Sequence, residues 1–137
     1  MAALTQSIIL HAAAKGGCVI VGRGAQCVLQ NCRGALHVFV YALWSERVAR
    51  LQARVRAGAE NVEELVRSTD TARAAYIRRH FGCNWKDPAL YQLMVSSDLG
   101  VDNVAGAIVD VVESAELATL YRSFNLPNGS MEREKSA

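Results

Sequence analysis

The alternation of apolar and polar positions predicts three short strands set among amphipathic helices. Leu4 to Lys15 reads as a helix, with Ile8, Ile9, Ala12 and Ala13 on overlapping faces, Thr5 as candidate cap and Gly16 as terminator. Cys18 to Val21 is an unbroken apolar run behind Gly16-Gly17, and Val19, Ile20 and Val21 are β-branched. A run this short, without alternation, predicts a strand buried on both faces. Gln26 to Gly34 contains a helical turn or loop with Val28 and Leu29 turned inward. Leu36 to Ala42 is the second strand: Leu36, Val38, Val40 and Ala42 point one way, and His37, Phe39 and Tyr41 the other. Both faces are largely apolar, so both are expected to be covered. The third strand is Tyr91 to Ser96, with Leu93, Met94 and Val95 as its buried part.

Between the second and third strands the pattern turns helical. Ser45 is a candidate cap for a helix over 46–57, which places Val48, Leu51 and Val55 on one face and Arg47, Arg50 and Arg54 on another. Gly58 ends it. Asn61, with Glu64 three residues on, opens a second helix along a stripe of Val62, Leu65, Val66, Thr69 and Tyr76. Arg67, Arg73, Arg78 and Arg79 decorate its other positions, and Gly82 is a suitable stop. Pro88 forces Asp87 to extended angles, so Asn84 to Pro88 is a turn. A last helix is expected over 102–122, with Val104, Ile108, Val111, Val112 and Ala115 inward, and residues 125–137 form a polar, flexible tail.

Strand, helix, strand, helices, strand, helix is the order of a parallel α/β sheet covered on both faces. The 137 residues suit one domain, and 51% apolar content is enough for a packed core. A net charge of +2, with basic residues not interleaved with aromatics, argues against nucleic acid as partner. No apolar run reaches the roughly 20 residues of a membrane span, and residues 1–15 lack the basic start of a signal peptide. Cys18, Cys27, Cys32 and Cys83 contain no Cys-x-x-Cys pair; Cys27 and Cys32 could approach each other, but free thiols in a reducing cytoplasm are the expectation. His11, His37 and His80 offer no metal spacing, and no protein-held metal is expected.

The chemistry concentrates at Gly22-Arg23-Gly24, directly after the first predicted strand. Glycines on either side permit unusual backbone angles and close approach of a ligand. The forked guanidinium of Arg23 suits phosphate or carboxylate, and the carboxyl end of a buried strand is where open α/β sheets bind ligands. The competing reading is a polar turn with a surface arginine. Arg47, Arg50 and Arg54 read as a solvated helix face, Asp70 as a helical ion-pair partner that could also orient an arginine, His37 as a core histidine, and Trp85 as an anchor for its turn.

Taken together, Cys18-Val-Ile-Val-Gly-Arg-Gly-Ala25, Leu36-His-Val-Phe-Val-Tyr-Ala42, Arg73-Ala-Ala-Tyr76 and Gly82-Cys-Asn-Trp-Lys-Asp-Pro88 leading into Tyr91-Gln-Leu-Met-Val-Ser96 resemble the cytidylate-kinase-like nucleoside monophosphate kinases. The pieces span roughly residues 3–114, and their order carries the likeness. The resemblance implies a three-layer α/β/α fold of P-loop kinase type, phosphoryl transfer from ATP to a CMP-like nucleoside monophosphate, magnesium, and a cytoplasmic location. On the matching positions it implies substrate contacts from Gly22, Arg23 and Gly24, and phosphoryl contacts from Arg73, Arg78 and Arg79 in a lid-like segment over about 67–90. Residues 1–124 would be a partial kinase domain.

One departure dominates. The phosphate-cradling loop, Gly-x-x-x-x-Gly-Lys-[Ser/Thr] or a near relative, is missing from the sequence. Gly16-Gly17 precedes its strand and cannot supply it. The chain thus resembles the C-terminal part of such a kinase, with three strands present, and reads as a fragment, a miscalled start or a degenerate copy. Asn84 and Gln92 stand where relatives tend to carry aspartate. Two readings stay open: a kinase that is inactive as this chain, or a non-catalytic nucleotide-binding or protein-interaction module. In the family the phosphate-loop strand lies between the strands matching Cys18–Val21 and Leu36–Ala42, so self-association across that gap is a further expectation.

Overall fold

The computed structural model describes residues 2–55 and 61–114. The expectations for Gly58, for the helix beyond residue 114 and for the tail over 125–137 lie outside the described residues. Among the described residues, five helices and two strands follow in order: α1 (Ala2–Lys15), α2 (Ala25–Val28), β1 (Val38–Tyr41), α3 (Trp44–Arg54), α4 (Val62–Phe81), β2 (Leu93–Ser96) and α5 (Val101–Glu113), with 3₁₀ turns at Pro88–Leu90 and Ser97–Leu99. The architecture mixes helix with a small parallel sheet, compatible with α/β.

The sheet has two strands among the described residues. β1 and β2 run parallel in the register Val38 to Leu93, Phe39 to Met94, Val40 to Val95 and Tyr41 to Ser96. The parallel arrangement follows from the long helical crossover between the strands, since a short turn can join only antiparallel neighbours. Just before β1 the ladder is extended by other means. The His37 N–H donates to the side-chain Oε1 of Gln92 at 2.8 Å, and the His37 carbonyl accepts from the Gln92 N–H at 2.9 Å.

The first predicted strand does not form. Cys18 to Val21 has no regular secondary structure, and Val19 and Val21 are 93% and 85% exposed. Apolar composition makes a strand possible, but a strand exists only as a ladder with a neighbour. No chain segment among the described residues pairs with this run. Ile20 alone turns inward, against a cluster of Ile9 from α1 with Ala25 and Leu29 around α2. The expectation of three strands is corrected to two. The expectation that the second strand is covered on both faces is likewise corrected, because Val40 and Tyr41 are exposed.

Helix ends follow local chemistry in part. Gly82 closes α4 at φ +70, its N–H donating to the Arg78 carbonyl, as a left-handed terminator should. Asp87 is extended before Pro88, and its carboxylate accepts from the Ala89 N–H at 2.9 Å, capping the 3₁₀ turn. The capping expected of Asn61 is not made through its side chain, and Ser45 lies inside the first turn of α3, whose cap position is Leu43. Thr5 likewise lies within α1 and not at its start. α1 packs on α2, α3 on α4, and α5 on β2.

Candidate functional site

Gly22, Arg23 and Gly24 form a tight turn in which all three residues have positive φ, at 70°, 59° and 77°. The Ala25 N–H closes it onto the Gly22 carbonyl at 3.2 Å. Positive φ at both central residues places it in the mirror-image turn class that glycine and asparagine favour. Arg23 is the one non-glycine residue at positive φ among the described residues. An L-residue with a long side chain gives up roughly 1–2 kcal/mol to sit there. The side chain so held is exposed, and it has no ion-pair partner among the described residues. Gly24, by contrast, is buried: a Cβ built on it would collide with the ring of Phe81. The arginine turn is therefore seated on the last turn of α4.

Helix geometry separates the three arginines of α4. At about 100° per residue, Arg73 lies within roughly 40° of Val66 and Ile77, the buried positions of the helix. Arg78 and Arg79 fall about 140° and 120° away from Arg73, on opposite sides. Arg73 thus stands over the buried stripe with its side chain half exposed, whereas Arg78 and Arg79 lie off that stripe, are exposed and make no ion pair among the described residues. Two groups position Arg73. Its Nη1 lies 3.5 Å from Oδ1 of Asp70, and its guanidinium carbon stands 5.1 Å from the centre of the Trp85 ring. Lys86 approaches the same ring at 5.3 Å. Trp85 meets Phe39 of β1 edge-on at 5.6 Å, and Phe39 stacks on Tyr91 at 5.0 Å. The Tyr91 hydroxyl donates to the Trp85 carbonyl at 2.6 Å. An aromatic cluster thus fastens the 82–92 segment to β1 and holds one flank of Arg73.

Asp70 is the hub of this region. It accepts two hydrogen bonds of 2.7 Å from the fork of Arg47, which joins α3 to α4. Those hydrogen bonds, reinforced by the charges of Arg47, Lys86 and Arg73, hold its carboxyl below the usual range against an opposing effect of burial. Hydrogen bonding to Asp70 raises Arg47 in turn. One turn along α3, Arg50 donates to Ser97 Oγ and Asp98 Oδ1, both at 2.7 Å, at the carboxyl end of β2. The reading of Arg47 and Arg50 as a merely solvated face is corrected: they fasten α3 to α4 and to the sheet. Their partners stand 23 and 48 residues away; no local spacing signals them. Arg54 is exposed.

His37 is 8% exposed, and its Nε2 pairs with the Leu29 carbonyl at 3.2 Å. Burial depresses its pKa despite that contact. It also lines a cavity of about 560 Å³ bounded by Cys18, Val19 and Ile20 on one side and Leu36 to Val38 on another, with Ile108 and Val112 of α5. Among the described residues no group of three acidic, histidine or cysteine side chains could hold a metal ion. No described helix is long and apolar enough to cross a membrane.

The structure brings the Arg23 turn against α4, and it sets Arg73, but not Arg78 or Arg79, beside Asp70 and the Trp85 ring, with the Arg73 side chain still half exposed. No curated protein and no solved structure matches the chain. The sequence model of the cytidylate kinase-like family matches residues 1–99, a stretch that contains the glycine–arginine turn, the arginine-bearing helix and both strands. On that match the chain belongs to the cytidylate kinase-like family.

Proposed function

We propose that the chain carries the acceptor side of a nucleoside monophosphate kinase, binding the phosphate of a CMP-like nucleotide through Arg23 and Arg73. The observation that carries this reading is Arg23 itself, kept at an unfavourable positive φ while its side chain projects into solvent. Strain of this kind persists where a side chain must be aimed. Arg73, held beside Asp70 and over the Trp85 ring, supplies a second positioned cation. Arg78 and Arg79 are proposed as outer cations that meet the phosphoryl group only if α4 moves. Gly22 and Gly24 contribute the turn.

The residues of this chain do not fit a magnesium–triphosphate site. The phosphate-cradling loop is missing from the sequence, and Asp70 and Asp98, the carboxylates beside the basic groups, are already engaged by Arg47 and Arg50. The chain alone is accordingly expected to bind nucleoside monophosphate and to transfer nothing from ATP. Calorimetry with cytidine monophosphate tests the binding. Arg23→Ala should weaken it by about one to two decades, the worth of a charge-assisted contact of roughly 1.5–3 kcal/mol. Equal binding by both proteins would remove Arg23 from the site, and no binding by either would remove the site. Diphosphate formation from ATP at about 1–100 per second would overturn the expectation of inactivity.

Self-association is a second proposal, carried by the unpaired run Cys18–Val21 and by the cavity between it and Leu36–Val38. Unpaired backbone beside an apolar cleft invites a strand from a second copy.

A further inference from the structure

The turn from Asn84 to Pro88 is built around one ring. Asn84 accepts twice, its side-chain Oδ1 from the Lys86 N–H at 3.2 Å and its carbonyl from the Asp87 N–H at 3.0 Å. The Trp85 carbonyl accepts from the Tyr91 hydroxyl, and Phe39 of β1 meets the Trp85 ring edge-on. Backbone and ring are thus held from within the turn and from the sheet. Trp85 is half-buried, and Lys86 beside it is exposed.

Two cations meet over that ring. The guanidinium carbon of Arg73 lies 5.1 Å from its centre, and Nζ of Lys86 lies 5.3 Å from it. The two charges therefore stand no farther apart than about one Debye length, roughly 10 Å in 0.1 M salt. A single carboxylate serves the neighbourhood. Asp70 takes the Arg47 fork at 2.7 Å and Arg73 at 3.5 Å. Lys86 is among the charges that hold the Asp70 carboxyl down, behind the Arg47 hydrogen bonds. Asp87, next in the chain, turns its carboxylate to the Ala89 N–H. Lys86 itself forms no ion pair among the described residues. Three cations facing one carboxylate leave an excess of two positive charges. Gathering them is unfavourable, because like charges repel and a cation–π contact at an exposed site is weak. A bound dianion reverses that sign.

We propose that Lys86, gathered with Arg73 at the Trp85 ring, is a further phosphate-binding residue that contacts the phosphate dianion of the nucleoside monophosphate. A phosphate monoester carries about −1.5 to −2 at neutral pH, which matches the local excess of charge. The chemistry of the two side chains is complementary. The guanidinium of Arg73 suits two oxygens through its fork, and the compact ammonium of Lys86, on a four-carbon stem, swings from the ring to a third. This inference rests on the reading of Arg23 and Arg73 as the acceptor-phosphate site, and it adds a contact from outside α4 and the Arg23 turn.

The test uses the full chain with cytidine monophosphate and inorganic phosphate as probes. The chain has three lysines, Lys15, Lys86 and Lys135, so acetylation followed by peptide mass reads Lys86 individually, with Lys15 as control. Both probes should slow acetylation of Lys86 and leave that of Lys15 unchanged. In calorimetry Lys86→Gln should weaken cytidine monophosphate binding about tenfold, the scale of one charge-assisted hydrogen bond. Lys86→Arg keeps the charge and should bind like the native chain. Equal binding by Lys86→Gln and the native chain would overturn the inference and leave the Arg23 site standing. If the native chain binds no cytidine monophosphate, the acceptor reading falls by itself. Acetylation of Lys86 at the same rate with and without inorganic phosphate then overturns the inference too, whereas protection confined to Lys86 upholds it as a phosphate contact.

Discussion

Replacing Asp70 by asparagine tests whether the α3–α4 clamp holds the region together. The substitution keeps the shape of the side chain and removes its charge. One oxygen can still accept from Arg47, but the amide nitrogen then faces a guanidinium N–H, donor against donor. In the folded chain the pair is bidentate at 2.7 Å, with Arg47 31% and Asp70 15% exposed at the side chain. An open surface pair contributes about 0–1 kcal/mol, and breaking a fully buried one costs about 3–5 kcal/mol. This half-buried pair lies between, so Asp70→Asn should cost about 2 kcal/mol. With a urea dependence of about 1–3 kcal/mol per molar, the unfolding midpoint should fall by roughly 1 M at unchanged slope. Because the folded carboxyl is held below its ordinary value, its contribution is complete above about pH 4. It is lost as pH falls through the folded value. Asp70→Asn should therefore also flatten the acid side of the stability profile. Arg47→Lys keeps the charge without the fork and should fall in between. Urea unfolding of the three proteins followed by circular dichroism is the assay. An unchanged midpoint and an unchanged acid limb in Asp70→Asn would refute the clamp.

Three further outcomes are expected. Gly24→Ala should destabilise the fold by about 1–3 kcal/mol more than Gly22→Ala does, because both meet positive φ but only Gly24 is pressed against Phe81; equal unfolding midpoints would show that the ring yields freely. The depressed pKa of His37 means that its contribution is complete above about pH 6.5 and is lost as pH falls below that; the urea midpoint should decline from pH 7 to pH 5.5 in the native chain and less in His37→Gln, and parallel declines would assign the effect elsewhere. Sedimentation at micromolar concentration should show association, reduced by Val19→Lys with Val21→Lys. A monodisperse monomer with a sharp thermal transition would show that two strands suffice.

Local signals in the sequence located the helices well. The stop at Gly82 and the extended Asp87 before Pro88 each depend on residues within one or two turns of each other, whereas the expected stripe of α4 is corrected: Leu65 and Thr69 are exposed, and Val66 and Ile77 are the buried positions. The parallel pairing of the segments around Phe39 and Met94 followed from the helical crossover between them. The Gly22-Arg23-Gly24 turn was legible as a composition, and only its backbone showed that Arg23 itself takes the left-handed conformation. Tertiary structure decided the rest, because each remaining feature joins groups far apart in the chain. Cys18–Val21 has the composition of a strand and is none, since a ladder needs a neighbour that no local pattern can supply. The Arg47–Asp70 fork links elements whose approach is set by packing, and Phe81 on Gly24 is another such meeting. Periodicity reports which face of an element is apolar; which partner meets that face is settled only when the whole chain closes on itself.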